Sequence, residues 1–235
     1  MKNIIIASTS TIHGSGYLDY ILDNLSTFFK GIEEILFIPY ARPSGISHDD
    51  YTRTVRVAFY KINKNVTGIH TYKNPVEAVK KAKAIFIGGG NTFVLTNQLY
   101  KNDLIVPLQS AIKKGTPYLG TSAGSNICGL TIKTTNDMPI VYPPSFKALG
   151  FVPFNINPHY LDPDKNSKHM GETRETRIKE FHNFNTQPVI GLREGSWLEV
   201  NNNSIILKGA LTARVFEYNK LPYEVDSGTD LSHLK

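Results

Sequence analysis

A chain of 235 residues with 40% hydrophobic and 20% charged content can bury one sizeable core, and it reads as a single domain spanning 1–235. No apolar run approaches the roughly 20 residues of a membrane span. The one cysteine, Cys128, excludes an internal disulfide, and no closely spaced Cys and His resemble a zinc site. A cytoplasmic protein with no metal and no organic cofactor is therefore expected. The net charge of +6 comes from scattered Lys and Arg with no basic-aromatic motif, so no nucleic-acid partner is expected; a mildly cationic surface instead suits the steering of an anionic small substrate.

The first apolar run, Ile4 to Ala7, is too short for a signal peptide and reads as a buried strand. Further short β-branched runs follow at Ile35 to Ile38, Val66 to Ile69, Ala84 to Ile87 and Pro117 to Leu119. Between them lie helical patterns. Asp50 to Lys64 places Val55, Val57, Ala58 and Ile62 on a recurring apolar face behind Ser47, a suitable N-cap, and Val76 to Lys83, Phe93 to Tyr100 and Leu104 to Lys114 read similarly. Strict strand-helix alternation predicts an α/β fold, a doubly wound and mostly parallel sheet with helices on both faces. Ligands bind such sheets at the carboxyl ends of the strands.

Two Gly-rich turns fall at that edge. Gly88-Gly89-Gly90 follows the fourth strand. Gly120-Thr121-Ser122-Ala123-Gly124 lies between Pro117–Leu119 and a helix-like run, Ser125 to Leu130. This G-x-S-x-G pattern matches a nucleophile elbow, where a strand turns so sharply into a helix that only small neighbours fit and the serine is lifted clear. Pro139, Pro143, Pro144, Pro153 and Pro158 then break the chain into short extended pieces, loops around a site and edge strands. Phe154 to Asn157 is extended, Thr173 to Asn183 is a helix, and strands lie near Val189 to Gly191, Trp197 to Val200, Ser204 to Leu207 and Arg214 to Tyr218.

A serine nucleophile needs a base and a group to orient that base. His159, in Asn157-Pro158-His159-Tyr160, is the first candidate, and His13, which follows the first strand, is the second. His48, His70, His169, His182 and His233 are expected at the surface. For the orienting carboxylate, Glu194 stands in a Gly-flanked turn after a strand. Asp137, in Thr134-Thr135-Asn136-Asp137-Met138-Pro139, is the alternative, with loop bracing as its other role. The N–H groups of Gly89 or Gly90 together with that of Ala123 are placed to form an oxyanion hole. Neither G-x-G-x-x-G nor a Walker sequence is present, so nucleotide binding is weakly supported.

Five blocks in matching order, Gly88-Gly89-Gly90-Asn91-Thr92-Phe93, Ser122-Ala123-Gly124, Thr134 to Val141, Ile156-Asn157-Pro158-His159 and Gly171-Glu172-Thr173-Arg174-Glu175, resemble peptidase E, the α-aspartyl dipeptidase family. The likeness runs from Ile4 to about Phe216. It implies a cytoplasmic serine peptidase that cleaves dipeptides with N-terminal aspartate, on a class I glutamine amidotransferase-like (flavodoxin-like) three-layer sandwich. Relatives on that fold use a Cys nucleophile; here the position holds Ser122. Carried over residue by residue, the triad falls on Ser122, His159 and Glu194, with Asp137 as an accessory acid and Asn91 and Arg174 as substrate contacts. The resemblance further implies a small anionic dipeptide as substrate, no cofactor, no membrane partner, and a monomer or weak homodimer. Aspartate selectivity calls for a cation, and Arg suits a carboxylate better than Lys because its planar fork grips both oxygens. Two other readings stand beside this one: a cyanophycinase-like peptidase acting on aspartyl polymers, and a non-catalytic small-molecule binding protein. A Ser triad is also chemically open to simple amides and esters.

Overall fold

In chain order the elements are β1 (Asn3–Ala7), α1 (Leu22–Phe28), β2 (Glu34–Ile38), α2 (His48–Tyr60), β3 (Asn65–Gly68), α3 (Pro75–Lys81), β4 (Ile85–Ile87), α4 (Thr92–Lys101), α5 (Ile105–Lys113), β5 (Tyr118–Thr121), α6 (Ala123–Asn126), β6 (Asn155–Pro158), α7 (Arg174–His182), β7 (Val189–Leu192), β8 (Ser196–Asn201), β9 (Ser204–Gly209), β10 (Ala213–Phe216) and β11 (Tyr223–Val225). The computed structural model describes residues 2–163, 166, 168 and 170–234. Among them no helix is long and apolar enough to cross a membrane.

Seven strands form the larger sheet in the order β3-β2-β4-β5-β1-β8-β9. The first five are parallel, and β8 and β9 are antiparallel additions. Strands β2 to β5 lie in the 2-1-3-4 order of a flavodoxin-like sheet, with β1 in the fifth place. Side chains alternate between faces along a strand, and both faces here are apolar because helices cover both. Ile4, Ile6, Leu36, Ile38, Ile85, Ile87 and Tyr118 join Val79, Leu95 and Leu108 of α3, α4 and α5 on one side. Ile5, Ile35, Phe37, Phe86 and Leu119 join Leu25, Val55 and Phe59 of α1 and α2 on the other.

The late strands form a second, four-stranded sheet, β11-β10-β7-β6, in which β6 and β7 run parallel. The sequence predicts one doubly wound sheet and assigns these strands to no sheet, so the second sheet is a finding of the structure. Helix α1 and strand β11 were not anticipated. The run from Ser125 to Leu130 departs from the expected helix: α6 ends at Asn126, because Gly129 brings its backbone against Phe154 and Leu130 N–H bonds the Phe154 carbonyl at 3.3 Å. The proline-rich stretch forms loops as far as β6, which ends at Pro158 and is the edge strand of the four-stranded sheet, and an isolated bridge joins Thr131 to Lys147. Caps agree with the sequence where they are local. Ser47 accepts from Asp50 N–H at the start of α2, and Thr173 from Thr176 N–H at the start of α7.

Candidate active site

Ser122 stands between β5 and α6 with φ 53° and ψ −112°, a sparsely populated conformation for a residue with a Cβ. The tightness of the turn explains its neighbours. A Cβ on Gly124 would run into the Ile87 carbonyl of β4, and one on Gly89 would lie 2.8 Å from Ser122 Cβ. The serine backbone is anchored by its N–H to the Ala7 carbonyl at 3.2 Å. The buried hydroxyl of Ser125, one turn on, donates to the carbonyls of Ala7 and Gly120.

His159 follows β6 and Glu194 follows β7, so the parallel pairing of these two strands brings the two residues side by side. His159 Nε2 lies 2.8 Å from Ser122 Oγ, and His159 Nδ1 lies 2.6 Å from Glu194 Oε1. His159 itself has φ 54°, again in the left-handed region. Its backbone N–H donates to Ser8 Oγ at 2.9 Å, and that hydroxyl donates onward to the Leu192 carbonyl at 2.7 Å. Ser8 is completely buried at the end of β1 and thereby ties the larger sheet to the ends of both β6 and β7. Nothing in the sequence around Ser8 marks it, because its partners are more than 150 positions away.

The two open choices resolve differently. His13 is exposed and makes no contact with Ser122, whereas His159 does. Asp137 does not touch His159. Its Oδ2 accepts from Thr92 N–H at 2.7 Å and from Thr135 Oγ1 at 2.9 Å, so the carboxylate caps the first turn of α4, where a negative charge is favoured. Asn91 caps the same helix, accepting from Val94 N–H, and its amide donates to the Met138 carbonyl, clamping the loop that carries Asp137. Among the other histidines, His48, His70 and His182 are half-buried rather than at the surface, His70 bonding Asp49 and His182 the Gln187 carbonyl. His169 lies outside the described residues.

Ser122, Ala123, His159, Thr92, Asp137 and Arg174 line one cavity of about 200 Å³. Burial and the neighbouring Arg177 hold the Arg174 guanidinium below its ordinary pKa, with Asp137 and Glu194 opposing them. Arg177 meets Glu172 only at 3.7 Å. The backbone N–H groups of Gly89, Gly90 and Ala123 make no hydrogen bond among the described residues. The Gly89 carbonyl accepts from the buried hydroxyl of Tyr51 at 3.1 Å. Tyr51 is a second residue that the sequence does not advertise.

Beside the site, Arg193 stacks 5.5 Å from the Tyr160 ring centroid and forms paired hydrogen bonds with Asp162 and Glu224. Arg193 directly precedes Glu194, Tyr160 directly follows His159 and Asp162 lies three positions after it, so this ion network grips both arms of the constellation. Cys128 is buried against the Gly124 carbonyl, and burial pushes its thiol up, which leaves it inert. Among the described residues no cluster of His, Cys, Asp and Glu could hold a metal.

An imidazole bridging a strained serine and a carboxylate at the carboxyl edge of a parallel sheet defines a serine hydrolase. The comparisons narrow the class. The model of "Peptidase family S51" matches residues 4–208. The "Peptidase E" of Streptomyces coelicolor is 47% identical over 232 residues, covering 99% of this chain and 94% of that protein. The "Probable alpha-aspartyl dipeptidase" of Drosophila melanogaster is 45% identical over 236 residues, covering 99% and 97%. A solved peptidase from an acI-B1 actinobacterium superposes with a TM-score of 0.73 at 16% identity, covering 98% and 96%, which speaks for the fold alone. This chain belongs to peptidase family S51.

Proposed function

We propose that the chain is a serine-dependent dipeptidase acting on dipeptides with N-terminal aspartate, with Ser122, His159 and Glu194 as its triad. The observation that carries the reading is the unbroken line from Ser122 Oγ to His159 Nε2 and from His159 Nδ1 to Glu194, with Arg174 on the same cavity. The name of the D. melanogaster relative, "Probable alpha-aspartyl dipeptidase", supports the substrate class. Ser122 Oγ attacks the scissile carbonyl while His159 takes its proton, and Glu194 stabilises the imidazolium. The developing oxyanion is received by the free N–H of Ala123 and that of Gly89 or Gly90. His159 then returns the proton to the leaving amine, and the C–N bond breaks to leave an aspartyl ester on Ser122. A water deprotonated by His159 attacks that ester, the proton passes back to Ser122 Oγ, and aspartate is released.

Arg174 receives the β-carboxylate. Asp137 Oδ1, which makes no hydrogen bond among the described residues, offers a partner to the free α-ammonium. The cavity of about 200 Å³ is smaller than the roughly 300–1,000 Å³ typical of drug-sized ligand sites and suits one charged amino-acid residue rather than a polymer. A cytoplasmic location fits the single cysteine.

The test is hydrolysis of Asp-Leu beside Asn-Leu, Glu-Leu and acetyl-Asp-Leu. Asp-Leu alone is cleaved, and Ser122→Ala lowers kcat by at least about 10³-fold, in keeping with removal of a triad member. Arg174→Met raises KM for Asp-Leu by roughly 10-fold or more, the scale of one charge-assisted hydrogen bond. Retained activity in Ser122→Ala overturns the mechanism, and equal cleavage of Asn-Leu overturns the charge reading.

A further inference from the structure

Glu194 has a second side. It lines another cavity, about 680 Å³, walled also by Ile12, Tyr20, Trp197 and Leu211 and carrying Lys208. The polar tips of its aromatic walls are already engaged, Tyr20 hydroxyl with the Thr9 carbonyl at 2.7 Å and Trp197 Nε1 with Glu199 at 3.2 Å. Lys208 sits directly opposite Trp197 in the antiparallel pairing of β8 and β9, so both side chains leave the same face of the sheet. Its ammonium has no hydrogen-bond or ion-pair partner among the described residues. An apolar-walled cavity with one free cation fits a ligand that has an apolar body and one negative charge.

We propose that this cavity is the subsite for the leaving residue of the dipeptide, taking an apolar side chain against Trp197 and Leu211 and the terminal carboxylate at Lys208 Nζ. The inference rests on the dipeptidase reading and extends it. The nitrogen of the leaving residue must receive its proton from His159 Nε2, so that residue departs on the histidine side of Ser122. Only one imidazole ring separates Ser122 from Glu194, which borders the cavity. One extended residue adds about 3.5 Å of reach, and the flexible four-carbon stem of lysine closes toward it.

Charge orients the ligand within the cavity. Glu194 repels a carboxylate at its own end, so the carboxylate is driven to the Lys208 end. The charged cavity holding Arg174 and Asp137 is left for the aspartyl residue. This division also accounts for a restriction to dipeptides, since in a tripeptide an uncharged amide replaces the carboxylate and Lys208 gains nothing.

The experiment compares kcat/KM for Asp-Leu, Asp-Leu-amide and Asp-Gly in the wild-type chain, Lys208→Met and Leu211→Ala, with thermal melting to verify folding. The wild type favours Asp-Leu over its amide by about 10-fold, the scale of a charge-assisted hydrogen bond. Lys208→Met brings the two substrates within about twofold by lowering the acid alone, and Leu211→Ala reduces the preference for Asp-Leu over Asp-Gly. A wild type that cleaves Asp-Leu and its amide equally well, or a Lys208→Met protein that loses activity on both alike, overturns this inference while the dipeptidase reading stands. Absence of cleavage of every aspartyl dipeptide by the wild type overturns both.

Discussion

Replacing Tyr51 with Phe removes one oxygen atom from the interior and should slow catalysis without weakening substrate binding. Tyr51 is 2% exposed, and its hydroxyl donates to the Gly89 carbonyl at 3.1 Å and lies 3.3 Å from the Tyr17 hydroxyl. Burial pushes both phenols up, so the hydroxyl remains a protonated donor through the neutral range. The ring is held independently of that hydroxyl, edge-on to Phe37 at 5.0 Å and beneath the Arg42 guanidinium at 5.2 Å, so Phe can occupy the same place. A peptide unit is planar and trans, so fixing the Gly89 carbonyl fixes the direction of the Gly90 N–H on the opposite side of that plane. Without the hydroxyl, a buried carbonyl loses its partner at a cost of about 1–3 kcal/mol in stability. Outright loss of an oxyanion donor lowers kcat by roughly 10²–10³. Misdirection of a donor still present costs less, and about 1.4 kcal/mol of transition-state stabilisation corresponds to a tenfold fall. Tyr51→Phe should therefore show kcat on Asp-Leu about tenfold lower, KM within about twofold, and a lowered melting temperature. Unchanged kcat together with the lowered melting temperature would show that Tyr51 only packs, and a raised KM at constant kcat would place it in ground-state binding.

Ser8→Ala leaves the His159 N–H and the Leu192 carbonyl without their shared partner, so it should cost about 1–3 kcal/mol in a denaturation experiment and lower kcat by at least about tenfold. Ser8→Thr, which keeps a hydroxyl, should recover part of both, and full activity in Ser8→Ala would dismiss the bridging role. The acid limb of stability should depend on Glu224. Burial works to raise this carboxyl, but hydrogen bonds from Arg193, Thr212 and Arg214 outweigh burial and bring it down to about 2. A carboxylate depressed in the folded chain contributes fully above its ordinary value, near 4.5, and the contribution is lost as pH falls toward 2. Melting temperatures measured between about pH 5 and 2 should fall less steeply in Glu224→Gln than in the wild type; parallel curves would contradict the assignment.

What could be read from the chain was whatever local chemistry dictates. The strands of the larger sheet declared themselves because both faces are covered, so Ile4-Ile5-Ile6-Ala7 and Ile85-Phe86-Ile87 are continuous apolar runs. The elbow was legible because Gly124 and Gly89 are required by the close approach of Ile87 and Ser122. The choice between Glu194 and Asp137 was not legible from the residues alone, since both are acids in turns of similar composition. It is decided by a pairing between β6 and β7 that joins segments more than 30 residues apart. Helix α1 is not legible because it is only seven residues long, with three apolar positions (Leu22, Leu25 and Phe28), and a preceding 3-10 turn at Asp19–Ile21 starts it without a capping side chain.

The arrangement places Ser122 on one sheet and His159 and Glu194 on the other, so the geometry of the proposed triad is a property of how the sheets are joined. Ser122 is held through Ala7, the last residue of β1. His159 is held through Ser8, the next residue along, and the Ser8 backbone N–H reaches across to the Ser196 carbonyl at the start of β8. Two consecutive residues at the end of β1 thus carry the attachment of all three functional side chains, since Glu194 lies between Leu192, bonded by Ser8 Oγ, and Ser196. Removing the Ser8 hydroxyl takes a partner from the His159 N–H and the Leu192 carbonyl while leaving the bond from Ser122 N–H to the Ala7 carbonyl in place. For that reason a polar atom buried beneath the triad should govern the rate more strongly than most groups exposed around it.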